Sequence, residues 1–404
     1  MIKILIVSFY YTQKSPGGAA KSFLNITENL KSIKELELEF LNLKDIKKSL
    51  NPLGISHYFY FFNVLRRVNR FKPHIILTQT SAAFGSILAS RVKKTPIINI
   101  IRDSHLICPK HNDIIEYGVS CKGLIDRNTC YNCINYWRTL RVLIGNKSIN
   151  WQYSYKAVIS TIGYKLRYLI CKINIFIFNQ STINLIASNL TKSFLLTQIE
   201  SNKLEILNIT PIKRRNFARA IEKKNQFIFI IPSYDSSHKG LDFVLKLSKH
   251  IPHNYKILIV GNKLSEKQLA RGKQSNIINL DQIGPEKLNR LYKESKITLV
   301  PSFYNEAFGR IIIESLVNKT PVISSPNCGA NSFFIEKDFL KVVPLKLSLW
   351  LEAINDTTRR SHKITENDLK DIYNQFSIEQ SIEDILKVIK QILMKRNELS
   401  VHKT

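Results

Sequence analysis

Two glutamates eight positions apart, Glu306 and Glu314, stand in the stretch Pro301-Ser302-Phe303-Tyr304-Asn305-Glu306-Ala307-Phe308-Gly309-Arg310-Ile311-Ile312-Ile313-Glu314. An apolar run of strand type ends at Val300, and helical spacing resumes near Phe308. A helix starting there puts Glu314 about two turns further on. At about 1.5 Å rise per residue the two carboxylates then lie roughly 12 Å apart along the axis. That span suits the two ends of one extended ligand. The helix start between them, at Phe308-Gly309, offers backbone N–H groups and a positive dipole end to an anion. A sugar at one end, a diphosphate at the helix start and a ribose at the other end satisfy all three. A nucleotide sugar is a ligand that fits.

Two more positions fit an anionic ligand. Pro16-Gly17-Gly18-Ala19 follows the first apolar run, and glycine lets a backbone approach a ligand closely because it lacks a Cβ. Lys239-Gly240 follows the run Phe227–Ile231 and precedes a helical pattern, where a lysine suits a phosphate.

Glu306 to Glu314, with Pro-Ser before, Phe-Gly inside and Thr320-Pro321-Val322-Ile323 after, resembles the E-x7-E motif of retaining GT-B glycosyltransferases, family 4 in particular. The resemblance implies that Glu306 contacts the donor sugar and Glu314 the ribose hydroxyls. It further implies that Gly17 and Gly18 approach the donor, and that Lys239 binds the diphosphate. Gly261 and Ile283 stand where the family places its nucleotide-base contacts, and Phe308 and Gly309 at the phosphate-facing helix start. The family usually has an arginine about five residues before the lysine; here Pro232-Ser233-Tyr234-Asp235 carries none. Arg102-Asp103 stands where the commoner form has His-Asp, so no catalytic histidine is carried over; Asp103, near the expected cleft, is with Glu306 a candidate catalytic residue. The glycine-rich loop after Pro-Val is reduced to Cys328-Gly329-Ala330-Asn331.

Cys108, Cys121, Cys130 and Cys133 close on a C-x-x-C step, a spacing open to a structural zinc, to free thiols or to disulfides. Cys171 and Cys328 read as core residues. The chain contains no Asp-x-Asp, so no divalent metal at the donor is expected. It has no nucleophile elbow, Walker loop or zinc-protease motif either.

The elements that must position these residues are legible as alternating apolar runs and helical patterns. The strands are Ile2–Ser8, Leu38–Leu43, Ile75–Thr80, Ile97–Ile101 and Leu185–Ala187, then Phe227–Ile231, Lys256–Val260, Ile277–Leu280, Ile297–Val300 and Pro321–Ser324. Helices are expected through Ala20–Leu30, Ala82–Ser90, Leu241–His250, Pro285–Ser295, Phe308–Val317 and Ile378–Lys395. Such alternation predicts α/β architecture: two Rossmann-like, doubly wound parallel-sheet domains facing a cleft, as in GT-B folds. The expected divisions are 1–206 on the acceptor side, 207–377 for the donor nucleotide, and 378–404 as a helix crossing back. The first includes a cysteine-containing insert, 103–136, and a basic aromatic segment, 137–183.

The chain has 404 residues and a formal net charge of +29, from 60 Lys+Arg against 31 Asp+Glu. Part of that excess is a composition rich in Ile, Asn and Lys; the rest predicts an anionic partner. No Asp or Glu occurs from Arg127 to Ile199. Basic residues alternate there with aromatics such as Trp137, Trp151 and Tyr155. This pattern suits anionic lipid headgroups, a buried helix with a basic rim, or single-stranded nucleic acid; no nucleic-acid recognition motif accompanies it. The N-terminal run reads as a buried strand rather than a signal peptide, and no apolar stretch is long enough to span a bilayer.

The resulting expectation is an enzyme transferring a sugar, of hexosyl or related type, from a nucleotide diphosphate sugar. The acceptor is a saccharide, lipid-linked, in polysaccharide or lipopolysaccharide assembly. The protein is expected in the cytoplasm, peripheral on the inner face of the cell membrane, with no nucleic-acid partner. The alternative is a non-catalytic GT-B-like protein that binds saccharide or nucleotide.

Overall fold

The computed structural model describes residues 1–9, 18–43, 60–79, 82–102, 108, 114–116, 119–120, 130, 168–212, 222–231, 238–261, 263–360 and 363–401. The chain divides into two compact units. One comprises Met1–Ile115, Cys121–Pro211 and Ile378–Thr404, the other Glu116–Ser120 and Ile212–Ser377.

The first unit is built on a six-stranded sheet from β1 (Ile2–Ser8), β2 (Leu36–Asn42), β3 (Ile75–Gln79), β4 (Ile97–Ile100), β7 (Ile183–Ile186) and β8 (Leu204–Ile206). A short two-stranded ribbon, β5 (Ile114–Glu116) and β6 (Val119–Ser120), lies between β4 and β7 in sequence. The spatial order of the large sheet is β2-β1-β3-β4-β7-β8, and every pair is parallel. Parallel strands need crossovers, which helices supply: Gly18–Leu30, Phe61–Phe71, Ala83–Lys93, one through 168–178, and Asn189–Leu195. Helices on both faces bury the strands, so Ile4–Val7 and Ile75–Leu77 are fully buried and read as unbroken apolar runs. The helix Ile378–Val401 belongs to this unit and packs against Gly18–Leu30.

The second unit repeats the design with β9 (Lys224–Ile230), β10 (Lys256–Val260), β11 (Ile277–Leu280), β12 (Ser295–Val300), β13 (Val322–Ser324) and β14 (Leu340–Val342). Its order is β11-β10-β9-β12-β13-β14, again all parallel. The crossovers include Leu241–Ser248, Glu266–Leu269, Pro285–Glu294 and Arg310–Leu316, followed by Leu347–Arg360 and Glu366–Phe376. Trp350 is fully buried beside Phe243, and its indole N–H donates to the Pro344 carbonyl at 3.0 Å. The chain runs up the sheet through β9, β10 and β11, then returns to the other side of β9 with β12. That reversal makes the carboxyl ends of β9 and β12 a topological switch point, where open α/β sheets leave a crevice.

The expected doubly wound sheets are therefore present, with two differences. The sequence reading omits β8 and β14, three residues each, which are too short to show a period. It also omits the helices Phe61–Phe71, Leu347–Arg360 and Glu366–Phe376. Their signal was available: Trp350, Ala353, Ile354 and Thr357 are buried at helical spacing, and Thr365 caps the last helix in a reciprocal box with Asp368.

Candidate functional site

Lys239 and Glu306 meet at the switch point. Lys239 follows β9 and Glu306 follows β12, and their side chains pair at 2.7 Å, Nζ to Oε1, at 11% and 7% exposure. The same oxygen accepts a hydrogen bond from Ser302 Oγ at 2.6 Å. The ammonium also lies 4.8 Å from the centre of the Tyr304 ring, whose face favours a cation. Burial alone would lower the Lys239 pKa. The Glu306 carboxylate, aided by Tyr304, more than offsets this and holds the ammonium well above the ordinary lysine range.

The backbone around the pair is tightly tied. Phe303 N–H donates to the His238 carbonyl at 2.8 Å, joining the two loops. Glu306 N–H donates to the Asn327 carbonyl at 2.8 Å, and Gly329 N–H donates to the Glu306 carbonyl at 3.0 Å, a parallel bridge of Glu306 with Cys328. Asn327 Nδ2 and Ser325 Oγ both donate to the Ser302 carbonyl. Gly240, at φ +88, lies so close to the second loop that a Cβ would stand 2.2 Å from the Pro301 carbonyl oxygen. Only glycine allows this approach, so the Lys-Gly step is also a packing requirement. Cys328 is buried as expected. Burial first, and the Glu306 charge second, push its thiol pKa well up.

The helix carrying Glu314 begins later than the sequence predicts. Gly309 adopts the left-handed conformation (φ +86, ψ +58), which cannot continue a right-handed helix, so the helix runs from Arg310 to Leu316. Glu306 is thus in an extended bridge outside the helix, and the estimate of carboxylate separation from helical rise does not apply. The helix is only seven residues long, so the cation at this site is Lys239 rather than a long dipole. Glu314 is 31% exposed and pairs with Arg310 at 3.2 Å, one helical turn away. The main chain at Glu314 is anchored by Asn318 Nδ2, which donates to its carbonyl at 2.7 Å. Tyr292 is fully buried nearby; burial, then the Glu314 charge, raise its phenol pKa.

The other expected positions divide by location. Phe308 turns its ring inward, against Phe333 and Phe376 at 5.9 and 5.5 Å. Gly261 ends β10, donating to the Leu280 carbonyl at 3.0 Å, and Ile283 packs beside Ile228, Leu258 and Tyr292. Gly18 opens the first helix of the other unit. Gly17, Asp103, Cys121 and Cys133 lie outside the described residues. Cys108 and Cys130 are half-buried, and among the described residues no three potential ligands cluster as a metal site. Sequence reasoning missed Tyr304, whose ring faces the Lys239 ammonium, and Asn327, whose carbonyl accepts from the Glu306 N–H. It also missed the Arg310–Glu314 pair, although an i,i+4 Arg–Glu spacing announces it.

An uncharacterized glycosyltransferase of Methanocaldococcus jannaschii, MJ1607, is 22% identical over 196 residues, 46% of this chain and 50% of that protein. The chain thus spans about half the length of the curated relative it matches. Sucrose-phosphate synthase of Thermosynechococcus elongatus superposes with a TM-score of 0.65 at 13% identity, covering 98% of this chain and 100% of that one. Anabaena HepE, in complex with UDP and glucose, superposes at 0.62 and 14% identity, covering 97% and 100%. At these identities the likeness establishes the fold, which is that of GT-B glycosyltransferases. Residues 212–370, which hold Lys239, Glu306 and Glu314, match the family model described as glycosyl transferases group 1.

Proposed function

We propose that the chain is a retaining glycosyltransferase of family 4 type that moves a hexosyl or related sugar from a nucleotide diphosphate sugar to a saccharide acceptor. The observation that carries this reading is the buried Lys239–Glu306 pair at the carboxyl ends of β9 and β12. In the reaction the bond from the anomeric carbon to the phosphate oxygen breaks, and a bond to the acceptor oxygen forms on the same face. Negative charge develops on the leaving phosphate, where an ammonium that stays protonated lowers the barrier. Lys239 has that property, because Glu306 keeps its pKa high. Glu306 accepts hydrogen bonds from the donor sugar and orients it. Glu314, half-exposed on its helix, takes the ribose hydroxyls, with Gly261, Ile283 and Gly309 bordering the nucleotide and Phe308 contributing only backbone. The leaving phosphate accepts the acceptor's proton. No divalent metal takes part in this scheme, so chelation should leave transfer unchanged. Asp103 is the second catalytic candidate of this scheme, and Gly17 and Gly18 approach the donor.

The acceptor in this reading is lipid-linked, for polysaccharide or lipopolysaccharide assembly, with the protein peripheral on the inner face of the membrane. Support comes from the acid-free stretch between Arg127 and Ile199. Among the described residues no helix is long and apolar enough to cross a membrane. A second reading, binding without turnover, draws on the missing arginine near Tyr234 and on the fact that Glu306 already meets the charge of Lys239. Calorimetric titration with UDP, GDP, ADP and their sugar conjugates tests both. One nucleotide should bind and lose about 1–3 kcal/mol on Glu314→Ala. Transfer or slow hydrolysis of the cognate donor then selects the enzyme; binding with neither selects the second reading.

A further inference from the structure

The helix through 168–178 in the first unit is apolar on both sides. Its inner face packs into the core: Cys171, Ile175 and Phe178 are buried, and Phe178 stacks on Phe84 at 5.1 Å between ring centres. Its outer face carries Leu169, Ile173 and Phe176, which are 55%, 42% and 65% exposed. The steps of four and three residues align these three within about one sixth of the helix circumference, so they form a single stripe. A surface helix ordinarily places polar residues there. Single exposed apolar side chains are common, but an aligned stripe of three marks an interaction surface.

The charge of the surrounding sequence selects the partner. Lys165 and Arg167 precede the helix, and Lys172 lies on it, its ammonium 5.6 Å from the centre of the Tyr168 ring. From Arg127 to Ile199 there is no acidic residue to offset them. Aliphatic side chains gain nothing against nucleic-acid phosphates, whereas Leu, Ile and Phe seat between acyl chains while lysine and arginine meet the headgroups. We propose that Leu169, Ile173 and Phe176 are the seat of this protein on an anionic phospholipid bilayer, with the helix lying parallel to the surface. The inference rests on the membrane partner of the proposed function and not on its transfer chemistry.

The test is flotation of the full chain with vesicles of phosphatidylcholine alone and with an equal mixture of phosphatidylcholine and phosphatidylglycerol. Wild type should float with the mixed vesicles, detach at high salt, and ignore phosphatidylcholine. Leu169→Ser/Phe176→Ser should bind at least about tenfold more weakly, with its thermal melt retained; if the double variant melts early, Phe176→Ser alone takes its place. Failure of wild type to float overturns the proposal. So does a variant that floats as well as wild type, or a wild type that dimerises through this face while the variant stays monomeric. Nucleotide binding in solution, measured on both proteins, separates the two readings. Flotation without nucleotide binding sinks the transferase; nucleotide binding without flotation sinks the membrane seat.

Discussion

Two lysines of the second unit show how a partner decides the state of a buried charge. Lys239 pairs with the Glu306 carboxylate and is held above the ordinary lysine range. Lys223, half-buried, directs its ammonium to the Thr320 hydroxyl at 2.6 Å, and burial pushes its pKa down to about 8. Burial has the same sign in both places. A carboxylate reverses it at one, and a hydroxyl, which carries no charge, leaves it standing at the other. The contrast teaches that Lys239 remains a cation at any working pH and suits an anionic ligand, whereas Lys223 is a structural tie of β9 to the loop before β13.

The sharpest way to break this contrast is Lys239→Met. It strands Glu306 in a buried site without its cation, and should cost about 3–5 kcal/mol of unfolding free energy in urea titrations. Adding Glu306→Gln should recover most of that loss, because the stranded charge goes with it. If the single variant melts like wild type, the pair is not a buried ion pair.

Lys223→Met should act in the opposite direction. Below about 8 the folded and unfolded chains both carry the Lys223 proton, and the burial cost is fully present. Between about 8 and the unfolded value of 10.5 the unfolded chain holds more proton, so stability rises with pH. The variant should be more stable than wild type at neutral pH by on the order of 1 kcal/mol, and the difference should shrink across that window. A difference that stays constant from neutral to alkaline pH would refute the lowered pKa.

Glu294 supplies the acidic counterpart. Hydrogen bonds from Lys224 and Arg290, at 2.8 Å each, lower its pKa below 4.5 while burial opposes them. Its contribution is present above the unfolded value and is lost as pH falls through the lower folded value. Glu294→Gln should cost about 1 kcal/mol at neutral pH and flatten the acid limb of the stability curve below 4.5. The smallest effect belongs to the half-buried pair. Arg310→Ala should change stability by less than about 1 kcal/mol, since solvent partly screens its contact with Glu314 at 26% and 31% exposure. Any larger loss would mean that this pair, too, is effectively buried.

Much of the second unit was legible because parallel strands buried on both faces leave continuous apolar runs; Lys256–Val260 and Ile277–Leu280 have the same bounds in sequence and structure. The pairing of Lys239 with Glu306, residues 67 positions apart, was not, since local patterning carries no information on which loops a sheet order brings together. Gly309 illustrates the finer limit. Its type allowed either a helical or a left-handed residue, and the bridge of Glu306 with Cys328 settles it as the latter.

The sequence by itself determined the alternation of strands and helices and the residue types available for chemistry, because these depend on neighbours within a few positions. The tertiary structure alone decided that β12 lies beside β9, that Lys239 is therefore a neutralised yet permanent cation, and that Leu169, Ile173 and Phe176 face outward. Each of these depends on packing between segments far apart in the chain, which sets burial and with it the local dielectric.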